Sequence, residues 1–242
     1  MIRVALLGAR GRMGVAVSEA ISRSTDLELT AAIDIDDTIE SIGNSIDVIV
    51  DFTTPDAVMK HITYAIKSKT HIVVGTSGFT SEKISRITEE IGEKPEVGVL
   101  IVPNFSIGAI LLAKLAKRAA PYFESVEIIE MHHEKKIDAP SQTARYTADE
   151  IASNRDGKVN PDATIGSRDS RGSHVGGIPI HSVRLPGLFA HEEVIFGNPG
   201  EILTLRHDST DRVAYMPGVL SAIREIPKHP GLHVGLDSIL DF

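Results

Sequence analysis

His132, His133, Lys135 and Lys136 put two imidazoles and two ammonium groups within five positions, and Ile137-Asp138-Ala139-Pro140-Ser141-Gln142-Thr143-Ala144 follows at once. Such groups donate protons and bind anions once their surroundings tune them. Ser141 reads as the N-cap of a helix over Gln142–Ser153, which predicts open backbone N–H groups at Gln142, Thr143 and Ala144. A helix start carries partial positive charge and suits a carboxylate or phosphate. Proton donors beside an anion cradle imply chemistry on an acidic small molecule. A histidine metal site is set aside, because no carboxylate stands at ligand spacing.

A second constellation lies at the N-terminus. Gly8-Ala9-Arg10-Gly11-Arg12-Met13-Gly14 falls between an apolar strand and an amphipathic helix, and Asp34 closes the next strand twenty positions after Gly14. Glycines there permit a tight turn, close approach to a pyrophosphate and close helix–strand packing, and an acid at that point can accept from an adenosine ribose. Asp34, Asp36 and Asp37 would repel a ribose 2′-phosphate, whereas Arg10 and Arg12 would attract one. The balance favours NADH, with NADPH as the alternative. Two further loops, Gly75-Thr76-Ser77-Gly78 and Pro103-Asn104-Phe105-Ser106, follow strands of the same sheet, where such folds bind ligands.

These residues need a frame. Strands are predicted at Val4–Gly8, Leu27–Asp34, Asp47–Phe52, His71–Gly75 and Gly98–Val102, with helices at Met13–Ser22, Ala57–Lys67 and Ser81–Glu90. That alternation predicts an α/β, doubly wound parallel sheet. After Pro103 the pattern changes. A helix over Ile107–Ala120, a strand over Ser125–Met131 and the Gln142–Ser153 helix precede a polar stretch, Asn154–Gly177, read as a long surface loop. Strands at Ile178–Leu185, Leu188–Phe196 and Glu201–His207 then predict an open mixed sheet, and a helix over Pro217–Ile226 with a strand over Leu232–Leu236 returns to the first domain. The expected division is 1–106 with 217–242, and 107–216. His181, His191 and His207 are expected to be ordinary strand histidines.

The 242 residues are 42% hydrophobic and 24% charged, which places the chain among ordinary globular proteins. A net charge of −8 argues against nucleic-acid and anionic-membrane partners. The absence of Cys and of a signal-like or membrane-spanning start points to the cytoplasm.

With these motifs in hand, the chain closely resembles the 4-hydroxy-tetrahydrodipicolinate (dihydrodipicolinate) reductase family of lysine and diaminopimelate biosynthesis. The resemblance runs nearly end to end, through Gly8–Gly14, Gly75–Gly78, Pro103–Gly108, Glu130–Ala144, Gly176–Gly187 and Arg206–Ser209. The short chain is similar to the actinobacterial branch. The resemblance implies a Rossmann-type domain plus an α+β substrate and oligomerisation domain, assembled as a homotetramer. It implies hydride transfer from a nicotinamide to C4 of a cyclic imine dicarboxylate, with loss of the 4-hydroxyl as water. It implies His132 as acid/base and Lys136 as proton donor, with His133, Lys136, Ser141, Gln142 and Thr143 around the substrate. Gly8, Ala9, Arg10, Gly11, Arg12, Met13, Asp34, Gly75, Thr76, Ser77, Pro103, Asn104 and Phe105 are the implied cofactor contacts. The family pattern has Gly at 142 and Thr at 77, where this chain has Gln142 and Ser77. A positive φ at 142 would strain glutamine by about 1 kcal/mol. A reductase with altered substrate, or a nicotinamide-binding sensor without turnover, are the competing readings.

Overall fold

The structure, a computed structural model, describes residues 1–43 and 45–241. Asn44 and Phe242, which the expected division 1–106 with 217–242 includes, lie outside the described residues. The chain forms two compact units, Met1–Ser106 with Tyr215–Asp241, and Ile107–Ala214.

The chain opens as β1 (Ile2–Leu7), α1 (Arg12–Ser22), β2 (Leu27–Ile33), β3 (Val48–Asp51), α2 (Val58–Ser68), β4 (His71–Val74), α3 (Ser81–Ile91) and β5 (Gly98–Ile101). It continues as α4 (Ile107–Ala119), β6 (Ser125–His132), α5 (Gln142–Ala152), β7 (Ser173–Val175), β8 (Ile178–Arg184), β9 (Ala190–Asn198) and β10 (Glu201–Ser209). It ends with α6 (Met216–Glu225) and β11 (Gly231–Val234).

The first unit holds a six-stranded sheet in the order β11-β5-β4-β3-β1-β2, parallel throughout. Every residue of β3 and β5 is buried, because helices cover both faces of such a sheet. Helix α2 supplies Val58, Ile62 and Ala65 to that core, one stripe at helical spacing. The chain runs from β1 to β2 on one side and from β2 back past β1 to β3 on the other, which makes the carboxyl ends of β1 and β3 the topological switch point.

The second unit is a five-stranded mixed sheet, β10-β9-β6-β8-β7, in which β6 and β8 are parallel and the other pairs antiparallel. Helices α4 and α5 cover one face. Leu112, Ala116, Ala144, Ala148 and Ile151 from the helices pack with Val126, Ile128, Ile180, Val194 and Phe196 from the strands. The alternation along β6 follows from this one-sided cover: Val126, Ile128 and Glu130 are buried, the residues between them half-buried.

The 154–177 segment is not a plain loop. It carries a 3-10 turn over Arg168–Arg171 and strand β7, which adds to the sheet edge beside β8. Gly176 and Gly177, both at positive φ, form the two-residue hairpin turn between Val175 and Ile178. Upstream, the Asn160 amide accepts from Val126 N at 3.1 Å and donates to Val126 O at 2.6 Å. Arg155 is buried and donates to Glu124 O at 2.7 Å.

His181, His191 and His207 lie in β8, β9 and β10. His181 Nε2 lies 2.7 Å from Glu127, and His191 Nδ1 lies 2.6 Å from Asp208. The His207 ring sits against Gly108, where a Cβ would come within 2.5 Å of its Cδ2. No described helix is long and apolar enough to cross a membrane.

Candidate active site

In the second unit the site grows from the end of β6. Glu130 is fully buried, on the same face as Val126 and Ile128. A carboxylate excluded from water needs charged or hydrogen-bonding partners. Arg184, at the end of the neighbouring β8, supplies a bidentate pair, Nη1 to Oε2 and Nη2 to Oε1, both 2.8 Å. His132 Nδ1 lies 2.6 Å from Oε2, and Ser141 N donates to Oε1 at 3.2 Å. Burial alone would raise Glu130, but hydrogen bonds from His132, Arg184 and Ser182 hold it down to about 2. Since Glu130 is ionised, His132 Nδ1 carries its proton, and Nε2 is the nitrogen left to exchange one with a ligand.

Arg184 Nη2 also donates to Asp138 O at 2.7 Å, which ties the 133–140 turn to the same carboxylate. Within that turn Lys136 N donates to His133 O, and Lys136 Nζ bonds both oxygens of Asp138 at 2.8 and 2.9 Å. Burial would raise Asp138, and the Lys136 ammonium more than offsets it, so the carboxyl lies below its ordinary range. His133 is half-buried just past the strand end, and the Ala139–Pro140 peptide is cis.

Helix α5 begins as expected at Gln142, with Ser141 as N-cap. Its hydroxyl accepts from Ala144 N at 3.1 Å, so the expected opening at Ala144 is taken by the cap. Gln142 and Thr143 form the first turn of the helix after that cap. The Gln142 side chain is exposed. Lys69 and Asp156 are the non-glycine residues at positive φ among those described; Gln142 has helical backbone and carries no such strain.

The structure brings together Glu130, Arg184 and Asp138 with the expected residues, and none of the three was singled out from the sequence. Glu130 left one trace, a charged residue on the buried face of a strand two positions before His132. Glu192 is a fourth. It stands directly opposite Glu130 on β9, almost wholly buried, and its Oε1 has no hydrogen-bond partner. Burial pushes it up, a Thr147 hydrogen bond pulls part of the way back, and the Glu130 charge raises it again, to about 7.

In the first unit, Gly8, Ala9, Arg10 and Gly11 form the β1–α1 turn, and Arg12 and Met13 open α1. Gly8 has φ +78, and a Cβ there would lie 2.7 Å from Phe52 O; a Cβ at Gly14 would collide with Gly8 O. Helix α1 starts without a side-chain cap and without an acidic residue in its first turn. A small cradle facing an uncapped helix start fits a pyrophosphate. Asp34 lies at its rim, accepting from Arg10 N at 2.8 Å and Ile35 N at 2.9 Å, and these backbone bonds hold its carboxyl below the ordinary range. The Arg10 guanidinium donates to Asp36 at 2.7 Å.

The other two loops are only partly open. Ser77 and Pro103 are exposed, but the Thr76 hydroxyl turns inward to Asp51 at 3.0 Å. Asn104 Oδ1 accepts from Ser106 N at 2.8 Å, and Phe105 is buried against Phe52, ring centroids 5.5 Å apart. Gly75 lies under both rings, where a Cβ would collide with Phe52.

A doubly wound parallel sheet with a glycine cradle and an acid at the end of β2, joined to a unit bearing an ionisable network, defines a nicotinamide-dependent oxidoreductase. Family models described as dihydrodipicolinate reductase, N-terminus and C-terminus, match residues 2–105 and 108–240. The chain belongs to the dihydrodipicolinate reductase family. It is 49% identical over 243 residues to the 4-hydroxy-tetrahydrodipicolinate reductase of Mycobacterium sp. (strain JLS), covering 99% of each chain. Identity to the Cutibacterium acnes (strain DSM 16379 / KPA171202) enzyme of the same name is 49% over 245 residues, again 99% of each. A dihydrodipicolinate reductase from Paenisporosarcina sp. TG-14, solved with dipicolinate bound, matches with a TM-score of 0.86 and 39% identity, covering 99% of this chain and 100% of that one.

The Glu192 carboxyl carries a testable consequence. Its folded value, about 7, lies above the ordinary 4.5. The stability of the protonated form is therefore complete below about 4.5 and is lost as pH rises through about 7. Glu192→Gln keeps the shape and removes the titration. Relative to the parent, the variant is expected to gain roughly 3 kcal/mol of unfolding free energy between pH 5 and pH 9. Denaturant titrations at the two pH values measure it, and parallel behaviour of the two proteins would remove Glu192 as the titrating group.

Proposed function

We propose that this chain is an NAD(P)H-dependent reductase converting 4-hydroxy-tetrahydrodipicolinate to tetrahydrodipicolinate and water, in lysine and diaminopimelate biosynthesis. The observation that carries it is the Glu130–His132–Arg184 network set beside the start of α5, in a chain about half identical to reductases of that name along its whole length. The first unit holds the cofactor and the second the substrate. Dipicolinate, bound by the Paenisporosarcina relative, is a planar ring with two carboxylates, the shape that a helix start and Lys136 suit.

When bound, the reduced nicotinamide supplies a hydride to C4 of the ring. His132, its Nδ1 fixed on Glu130, offers Nε2 as acid/base. Lys136 gives the proton that completes reduction, moving from Asp138 to the substrate. His133, Ser141 and the backbone at Gln142 and Thr143 hold a carboxylate. Gly8 to Met13, Asp34, Gly75 to Ser77 and Pro103 to Phe105 hold the cofactor. NADH is the preferred form, because Asp36 already engages Arg10 and leaves acidic charge in excess around the ribose. The enzyme works in the cytoplasm as a homotetramer, built through the face of the second sheet opposite α4 and α5, where Ile129, Met131 and Ile195 are only half-buried.

NADH oxidation coupled to a synthase supplied with pyruvate and aspartate semialdehyde tests the whole reading; tight NADH binding with no turnover would sink it. Asp36→Asn is expected to improve NADPH affinity about fivefold, equivalent to roughly 1 kcal/mol, with NADH affinity nearly constant, as titration calorimetry would read. Gln142→Gly is expected to lower KM for the ring substrate about threefold, or roughly 0.7 kcal/mol, without moving the NADH Kd. An unchanged KM would take the Gln142 side chain out of carboxylate recognition.

A further inference from the structure

The first unit contains a buried carboxylate of its own. Asp51, the last residue of β3, is wholly excluded from solvent. Its Oδ1 accepts from Thr53 N at 2.8 Å, from the Thr53 hydroxyl at 2.7 Å and from the Thr76 hydroxyl at 3.0 Å. Its Oδ2 lies 2.7 Å from His61 Nδ1. The partners come from the β3–α2 turn, from α2 itself and from the β4–α3 loop. A carboxylate in such a place is tolerable only while its donors stay in position, so the four contacts hold one another.

The neighbouring loops are fastened to the same point. Phe52, next to Asp51, and Phe105 close over Gly75, and α6 meets the Phe105 carbonyl so closely that a Cβ at Gly218 would collide with it. The loops after β3, β4 and β5 therefore form one assembly at the carboxyl ends of their strands. The β1–α1 turn has its own anchor, Asp34 on Arg10 N.

The strand order separates the two anchors. Asp34 lies on the β2 side of the switch point, where adenosine binds, and the glycine cradle at the end of β1 is at the switch point itself, where the pyrophosphate binds. The Asp51 assembly lies on the β3-β4-β5 side, over which the other half of a dinucleotide extends. We propose that Asp51 is a positioning residue for the nicotinamide half of the cofactor, holding the backbone of Gly75, Thr76 and Ser77 in place through the Thr76 hydroxyl and through its own carbonyl, which accepts from Gly75 N at 2.9 Å. It never touches the cofactor. The proposal rests on the nicotinamide-dependent reading above.

Calorimetric Kd values for NADH and for ADP-ribose, which lacks the nicotinamide ring, separate the halves. Thr76→Val removes the hydroxyl and leaves Asp51 three donors. It is expected to weaken NADH about tenfold, the scale of one hydrogen bond to a charged group, and to leave ADP-ribose within about twofold. Thr76→Ser, which keeps the hydroxyl, retains NADH affinity. Asp51→Ala, which removes the acceptor itself, weakens NADH at least as much, and adding Thr76→Val to it costs little more, because both break the same contact. Equal losses for the two ligands, or no loss with either, would overturn the proposal. If Asp51→Ala does not fold, the two Thr76 variants carry the test alone. A parent protein that binds ADP-ribose but not NADH would refute the cofactor reading instead, which keeps the two failures distinct.

Discussion

The Glu130 carboxylate, ionised and sealed from water, constrains most of the second unit. Leaving such a charge unpaired would cost several kcal/mol, comparable with much of a domain's net stability. Arg184 must therefore reach it with both guanidinium nitrogens, which sets the parallel register of β8 on β6, with His132 opposite Arg184. The same demand draws in Ser141 N, and with it the first turn of α5. Asp138 O follows through the spare reach of Arg184. The positions of His132, the 133–140 turn and the helix start are thus consequences of one buried negative charge.

The first unit handles negative charge by different means. There a cradle is made by removing side chains in front of the α1 start; Gly8 and Gly14 have no room for a Cβ. A chain with net charge −8 cannot attract acidic ligands through its overall field. It offers local arrangements instead: an uncapped helix start in one unit, and a helix start capped by Ser141 in the other.

The parallel sheet was legible because strands covered on both faces must be apolar runs, as at Val48–Val50 and Gly98–Ile101. The glycine turn and the Ser141 cap were legible because their chemistry is local. The Glu130–Arg184 pair was not, since its partners are 54 positions apart and meet only through the register of β8 on β6. Nor was the inward turn of Thr76, which depends on an aspartate 25 positions away. Strand β7 is a different kind of miss. Gly176-Gly177 is a local hairpin signal, and the polar residues before it obscured a strand that needs only one apolar face. The condition for strain at Gln142, a positive φ, is not met, because the change of direction falls on Ser141, whose extended backbone any residue can adopt.

Asn160 has a further consequence. Its amide occupies both backbone groups of Val126, at a level of β6 that β8, whose pairing begins at Ile128, does not reach. One side chain thus stands in for a missing stretch of strand and seals the edge there. The chain between Asn160 and β7 is held at both ends and largely exposed between them, so its length is nearly free of the fold's demands. In evolutionary terms it is a permissive segment, where insertions and deletions can accumulate while β6 beside it keeps its register.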